Sequence, residues 1–260
     1  MKATAGTTTG RHDVRHPVGV PFPALPLLLC AVLLASCSGR LETSVRGDLS
    51  ARMALRFEVP DVLAARVRQM AGSPPGSSLF DTARLKSEFA GRTSMFLVDL
   101  SSPSPESLTS VIWVPALTDL ARDTSLVPPG MIQMKTIAAS AGQPSVRELS
   151  VRLTRENAAA AYRLFPGIDE KLLDSLSPPA LEKDPLSAAE YRMNLETVII
   201  GKKAMPSFDG CAFEISINAP KTILSAMGGT VQGQVFKTKI AFFDFLTLEQ
   251  PIAFSLRWVE

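Results

Sequence analysis

The sequence predicts an α+β fold of mostly antiparallel sheet, with helices on one face and a helical insertion. Three observations lead there. Residues 49–59 alternate apolar and mostly polar side chains over eleven positions, the period of a half-buried strand. Strand-like segments before residue 155 and after residue 205 are separated by proline- and glycine-bearing turns, which suits antiparallel neighbours. Between them, residues 156–200 read as helix and divide an earlier set of strands from a later one.

In the first strand Leu49, Ala51, Met53, Leu55, Phe57 and Val59 share one face. Pro60 and Asp61 stop it and open a helix to about residue 71, closed by Gly72 and a Pro/Gly loop over 73–78. A second helix is predicted over 81–90, with Asp81 accepting from free N-terminal amides. Residues 93–100 and 108–114 read as strands joined by the wide turn Ser101-Ser102-Pro103-Ser104-Pro105. A second pair, 131–138 and 147–153, follows Pro128-Pro129-Gly130. The insertion begins with an alanine-rich helix over 156–165 and a short one over 168–176. Ser187 and Glu190 fit a capping box for a third, ending near Gly201. Strands return at 211–217, 231–240 and 252–258. The glycine run Gly228-Gly229-Thr230-Val231-Gln232-Gly233 has the wrong spacing for a dinucleotide fingerprint and sits between strands, so it reads as a hairpin turn. Two domains, split near 155 or 205 at proline-bearing linkers, are the alternative to a single domain over 41–260.

The N-terminus carries an address. A polar stretch with Lys2, Arg11 and Arg15 precedes the apolar run 27–35, about half the roughly 20 residues needed to span a bilayer, and Pro21, Pro23 and Pro26 crowd its entry. That order is the signature of an export signal. Its end, Leu34-Ala35-Ser36-Cys37, resembles the lipobox of bacterial lipoproteins at all four positions. The resemblance implies that residues 1–36 are removed, that the Cys37 thiol carries a diacylglycerol, and that the freed amine is open to acylation. Residues 37–40 are then a lipidated N-terminus and short tether. The domain is thereby expected on the extracytoplasmic face of the cell membrane or outer membrane. The lipobox, an early strand followed by a helix, and a late strand ending in Ser255-Leu256-Arg257-Trp258 together resemble the LppM-like envelope lipoproteins. That likeness is one of pattern, and it transfers no functional residue.

Losing residues 1–36 changes the composition. The chain has 27 basic and 25 acidic residues; the leader takes Lys2, Arg11, Arg15 and Asp13, leaving 24 of each. No basic excess remains for sequence-independent phosphate binding, so nucleic acid is not an expected partner. Both histidines, His12 and His16, lie in the leader. Without an imidazole to accept a proton near neutral pH or ligate a metal, the usual serine, cysteine and zinc hydrolases are not expected. Neither a metal nor a cofactor is anticipated. Cys30 is removed and Cys37 is lipidated, so Cys211 is the remaining thiol. It opens the alternation Cys211, Phe213, Ile215, Ile217 and reads as a small buried hydrophobe.

Three features compete as functional candidates. Arg46-Gly47-Asp48 spells an integrin-type tripeptide, although glycine and aspartate equally suit a turn between 41–45 and the strand from Leu49. Half of the sixteen aromatics left after residue 36 lie beyond residue 207. Of these, Phe236, Phe242, Phe243, Phe245, Phe254 and Trp258 are the candidate lining of an apolar ligand site, with a solid core as the competing reading. Phe242 and Phe243 are adjacent, and neighbours on a strand cannot share one face. The helical segment 156–200, with Lys171, Glu182, Lys183, Asp184, Glu190 and Glu196, is either a solvated face or a docking surface. These readings converge on a non-catalytic, lipid-anchored binding or scaffold protein whose ligand is an envelope lipid or a partner protein. The rival is an enzyme using paired carboxylates or a Ser/Lys dyad, for which Lys202, Lys203 and Ser207 are the nearest candidates.

Overall fold

The computed structural model describes residues 38–140, 144–164 and 176–260. The leader, Cys37, the candidate Lys171 and all but Leu176 of the helix expected over 168–176 lie outside the described residues. From Ser38 onward the fold is α+β, with two mostly antiparallel sheets. In chain order the elements are β1 (Ser38–Val45), β2 (Ala51–Glu58), α1 (Asp61–Met70), α2 (Thr82–Ala90), β3 (Phe96–Ser101), β4 (Ser107–Val114) and α3 (Leu117–Arg122). There follow β5 (Ile132–Ile137), β6 (Val146–Leu153), α4 (Arg155–Leu164), a 3-10 turn (Pro179–Leu181), α5 (Ala188–Asn194), a π turn (Leu195–Ile199) and α6 (Met205–Asp209). The chain closes with β7 (Ala212–Asn218), β8 (Ile223–Met227), β9 (Thr230–Gln232), β10 (Val235–Ala241), α7 (Phe242–Thr247) and β11 (Ile252–Val259).

A seven-stranded sheet runs β3-β4-β2-β1-β7-β10-β9, and a four-stranded sheet runs β5-β6-β11-β8. The order places the parallel pair β1–β7 at the middle of the larger sheet, with antiparallel pairs on either side. Parallel neighbours need a long crossover, and here the second sheet and the helical insertion provide it. A domain boundary near 155 or 205 would cut β1 from β7 and β6 from β11.

One face of the larger sheet is charged and exposed, carrying Arg40, Glu42, Arg52, Arg56, Glu214, Lys237 and Lys239. The other holds the core, where Val45, Ala51, Ile112, Val114, Phe213 and Ile217 join Leu149, Leu153, Leu256 and Trp258 of the smaller sheet. The alternation from Leu49 onward supplies this inner face. Local signals set the helices: Asp81 Oδ1 accepts from the Arg84 amide at 2.9 Å, and Ser187 and Glu190 form a complete capping box. The Ser187 hydrogen bonds hold the Glu190 carboxyl below its ordinary range, so this cap is present at neutral pH and lost on acidification through that lowered value.

Four expectations are corrected. Residues 38–40, read as tether, are the start of β1, because pairing with β2 and β7 on both sides orders the backbone there. Residues 242–247 are helix where strand character was read into the phenylalanines. The glycine run is not one turn: Gly228-Gly229 carries the chain from the smaller sheet to the larger, β9 follows, and the two-residue hairpin lies at Gly233-Gln234. The predicted strand over 231–240 therefore divides into β9 and β10. The helix opened by Ser187 does end near Gly201, its π turn closing at Ile199, and a separate short helix, α6, follows it.

Ser110 faces the core from β4 at 2% exposure, and its hydroxyl has no hydrogen-bond partner among the described residues. Burying an unpaired hydroxyl costs roughly 1–3 kcal/mol. Ser110→Ala is expected to raise stability by about 1 kcal/mol, read as a higher urea midpoint at unchanged slope; a lower midpoint would show that the hydroxyl contributes packing that a methyl group lacks.

Candidate functional site

The aromatic residues of the C-terminal part form two groups that pack among themselves. Phe236 of β10 stacks on Phe254 of β11 at 5.4 Å between centroids, where the two sheets meet, and Trp258 is buried on the same face of β11 as Phe254. The second group surrounds α7. Phe242 meets Phe208 and Phe213 edge-on at 5.8 and 5.7 Å, and Phe245 meets Phe213 at 5.4 Å and Tyr162 at 4.7 Å. Phe243 stacks on Tyr191 at 6.0 Å. On a helix, successive side chains are spread by about 100°, so adjacent phenylalanines reach different neighbours. Phe242 and Phe243 are half-buried and the other four are buried, and among the described residues the six divide between these two groups.

Buried polar atoms in this region are tied down. The Tyr162 hydroxyl donates to the Phe245 carbonyl at 2.6 Å, and the Tyr191 hydroxyl donates to the Leu176 carbonyl at 2.9 Å. Burial raises both phenols above their ordinary pKa, which keeps them neutral donors. Cys211 is buried, its thiol donating to the Ser207 carbonyl at 3.3 Å. Ser207 is half-buried on α6, and Lys202 and Lys203 are exposed just before that helix. Arg46-Gly47-Asp48 forms the turn between β1 and β2: Asp48 Oδ1 accepts from the Ser50 amide and hydroxyl at 3.0 and 2.7 Å, and Arg46 lies over the Trp113 ring at 4.8 Å. Those hydrogen bonds hold the Asp48 carboxyl below its usual range. Both charged members of the tripeptide are thus engaged in the turn.

Three clefts lie elsewhere on the surface. One of about 430 Å³ follows the edge of β3 beside α2, from Lys86 and Arg92 to Leu100. Another of about 580 Å³ crosses the charged sheet face between Arg40, Glu214 and Lys237. The third, about 470 Å³, lies between Arg152 to Glu156 and Leu248 to Pro251. None of the six aromatic candidates lines these three. Among the described residues, no group of three or more His, Cys, Asp or Glu side chains is gathered around a common point, and no helix is long and apolar enough to cross a membrane.

Sequence reasoning missed the geometry at the end of the larger sheet where β1 begins. Ser38 is paired with Glu58 of β2 and Ala212 of β7, so the residue next to Cys37 is held on both sides. Gly39 follows, with the Phe57 and Phe213 rings stacked at 5.9 Å over it; a Cβ there would lie 2.4 Å from the Phe213 ring. The serine-glycine pair looks like tether in the sequence, and only the rings contributed by two distant strands show why it is strand.

Fold and site together define an α+β domain of two sheets whose chain enters at the centre of the larger one. No protein-family model matches the chain, and no curated protein matches it. Among solved structures, it is similar to the NMR structure of the folded domain of the LppM protein of Mycobacterium tuberculosis, at 9% sequence identity and a TM-score of 0.35, over 86% of this chain and 89% of that one. A likeness at that level defines neither fold nor function.

Proposed function

We propose that this chain is a lipoprotein of the bacterial cell envelope, anchored by lipid on Cys37 and displaying residues 38–260 as a binding or scaffold domain on the extracytoplasmic face. The observation that carries the reading is the sequence Leu34-Ala35-Ser36-Cys37 at the end of a short apolar run. Support also comes from where the fold starts. Ser38 is already in the central strand, so cleavage before Cys37 would trim the chain to its folded part and leave nothing projecting beyond the modified residue. The domain is proposed as non-catalytic, since its core phenols and thiol are buried and hydrogen-bonded to carbonyls. Because the aromatic side chains pack on one another, a ligand is better sought on the surface than inside, which favours a scaffold over a lipid carrier.

Metabolic labelling with a radioactive fatty acid tests the anchor. Wild-type protein is expected to incorporate label and enter the detergent phase, whereas Cys37→Ala should do neither and should run as the uncleaved precursor. Equal labelling of the two proteins would dispose of the proposal.

A further inference from the structure

If Cys37 is the anchor, then covalent geometry fixes what touches the membrane. Consecutive Cα atoms are about 3.8 Å apart, so Ser38 lies within one residue of the lipidated position. Ser38 is itself fastened to Glu58 and Ala212. The domain cannot swing away on a linker, and the end of the larger sheet that carries Ser38 must lie at the headgroup level. The eight residues of β1 put the Arg46 turn roughly 26 Å away at the other end.

The neighbouring elements present a definite chemistry at the anchored end. Pro60 and α1 follow directly from Glu58, the partner of Ser38, and α6 leads directly into Ala212, its other partner; α1 and α6 pack together. On α1, Val62 is 51% exposed and shares a face with Arg66 one turn later. Arg66 Nη2 donates to the Val198 carbonyl at 2.9 Å and Nε to that of Ile199 at 2.5 Å, capping the π turn that ends the α5 helix. This brings Val198, 66% exposed, to the same surface. Gly201 then turns the chain at φ +85°, and Lys202 and Lys203 project beside it. Among the described residues, neither lysine nor Arg66 makes an ion pair. Of the carboxylates nearby, Glu58 is paired with Arg56 at 3.6 Å and Asp209 with Arg192 at 2.6 Å, while Asp61 and Glu196 make no ion pair among the described residues. Two exposed lysines and the hydrogen-bonded Arg66, which also donates to Gln69 Oε1 at 2.7 Å, thus stand with the carboxylates of Asp61 and Glu196 around two exposed valines, a net positive balance of one.

We propose that Val62, Arg66, Val198, Lys202 and Lys203 form a membrane-docking patch for the anionic phospholipid headgroups of the bilayer that holds the Cys37 lipid. The inference rests on the anchored reading above and adds an orientation to it. The two valines enter the interfacial layer, the cations meet phosphate, and the strands of the larger sheet stand away from the membrane. The diacylglycerol on Cys37 brings two acyl chains, enough for stable attachment, so what the basic and apolar surface beside it contributes is the orientation of the domain on the bilayer.

The test uses the lipidated full chain in vesicles containing phosphatidylglycerol, with a fluorophore on Thr197→Cys or, at the far end, Gly47→Cys; buried Cys211 stays unlabelled. Headgroup nitroxide lipids should quench the Thr197 label strongly and the Gly47 label hardly at all. Insertion of a Gly/Ser spacer of about ten residues between Cys37 and Ser38 frees the domain to move roughly 17 Å. With the spacer, quenching at Thr197 should persist in anionic vesicles and fall in phosphatidylcholine. Lys202→Ser/Lys203→Ser in the spacer background should weaken patch binding about 25-fold, about fivefold per charge, and bring Thr197 down to the Gly47 level. Quenching that disappears with the spacer alone would mean that the anchor imposes the position and that no patch exists. Equal quenching of both labels overturns the orientation. Fatty-acid incorporation is read on the same samples: its presence with either negative result sinks the patch alone, and its absence sinks the anchor and the patch together.

Discussion

Gly228→Val, and to a smaller extent Gly229→Val, should lower the urea midpoint of the domain severely. These two residues carry the chain from β8 in the smaller sheet to β9 in the larger. At Gly228, φ is +76°, and a Cβ would sit 2.3 Å from the Ala253 carbonyl oxygen and 2.9 Å from Phe254 Cβ. At Gly229 it would sit 2.4 Å from the Lys237 carbonyl oxygen and 2.5 Å from the Phe236 ring. The obstructing atoms are backbone of β11 and β10, which cannot swing aside as the end of a long side chain can. A β-branched residue at positive φ costs roughly 1–2 kcal/mol, and forced overpacking adds about 1–3 kcal/mol or more. Opening the seam would also separate Phe236, 0% exposed, from Phe254. Against a typical total stability of about 5–15 kcal/mol, the combination at Gly228 and the overpacking alone at Gly229 each remove a large share. Far-UV circular dichroism and a urea titration read the outcome. Gly47→Ala, with open space around it and an ordinary φ, is the control and should melt as wild type; Gly233→Ala, at φ +62° but also in open space, should lose only about 1 kcal/mol. A Gly228→Val protein with a wild-type midpoint would mean that the sheets do not meet as described.

The same seam explains which parts of the fold were legible in the sequence. β2 declared itself because one of its faces is buried and the other solvated, which forces alternation. The capping box at Ser187 and the Asp81 cap are local, and local chemistry is readable residue by residue. β1 was hidden because its inner positions include Gly39, small where the Phe57 and Phe213 rings already fill the space, and the buried polar Thr43 between Met53 and Ile217. That is a property of its neighbours, not of its own sequence. α7 was hidden for a related reason: Ala241 offers no side-chain cap, and three phenylalanines in four residues look like strand until Tyr162, Tyr191 and Phe208 arrive from the helical insertion to receive them. For the candidate site, the Cys37 motif needed only four consecutive residues. The absence of slack between Cys37 and the sheet depended on pairing with β2 and β7, which no local pattern encodes.

Glu106→Ala should destabilise the domain by about 3–5 kcal/mol, far more than a carboxylate in a surface turn ordinarily contributes. Its partner is Arg68 of α1, a guanidinium whose side chain is only 8% exposed. Arg68 Nη2 donates to Glu106 Oε1 at 2.5 Å, and Nε donates to the Ser77 carbonyl at 2.7 Å. One arginine therefore joins α1, the loop before α2 and the turn between β3 and β4. The backbone reinforces the junction, with the Val59 amide donating to the Glu106 carbonyl and the Leu79 amide to that of Pro105. Removing the carboxylate strands a buried positive charge with only a carbonyl to meet it, and that uncompensated charge sets the size of the loss. The Arg40–Glu214 pair supplies the contrast. Its side chains are 59% and 49% exposed, water screens both charges, and Glu214→Ala should cost no more than about 0.5 kcal/mol. In the double variant Arg68→Met/Glu106→Leu no charge is left to desolvate, so most of the lost stability should return. Urea midpoints of the four proteins decide it. A Glu106→Ala protein no weaker than Glu214→Ala would show that Arg68 finds water or another acceptor, and that this junction is held by its backbone hydrogen bonds alone.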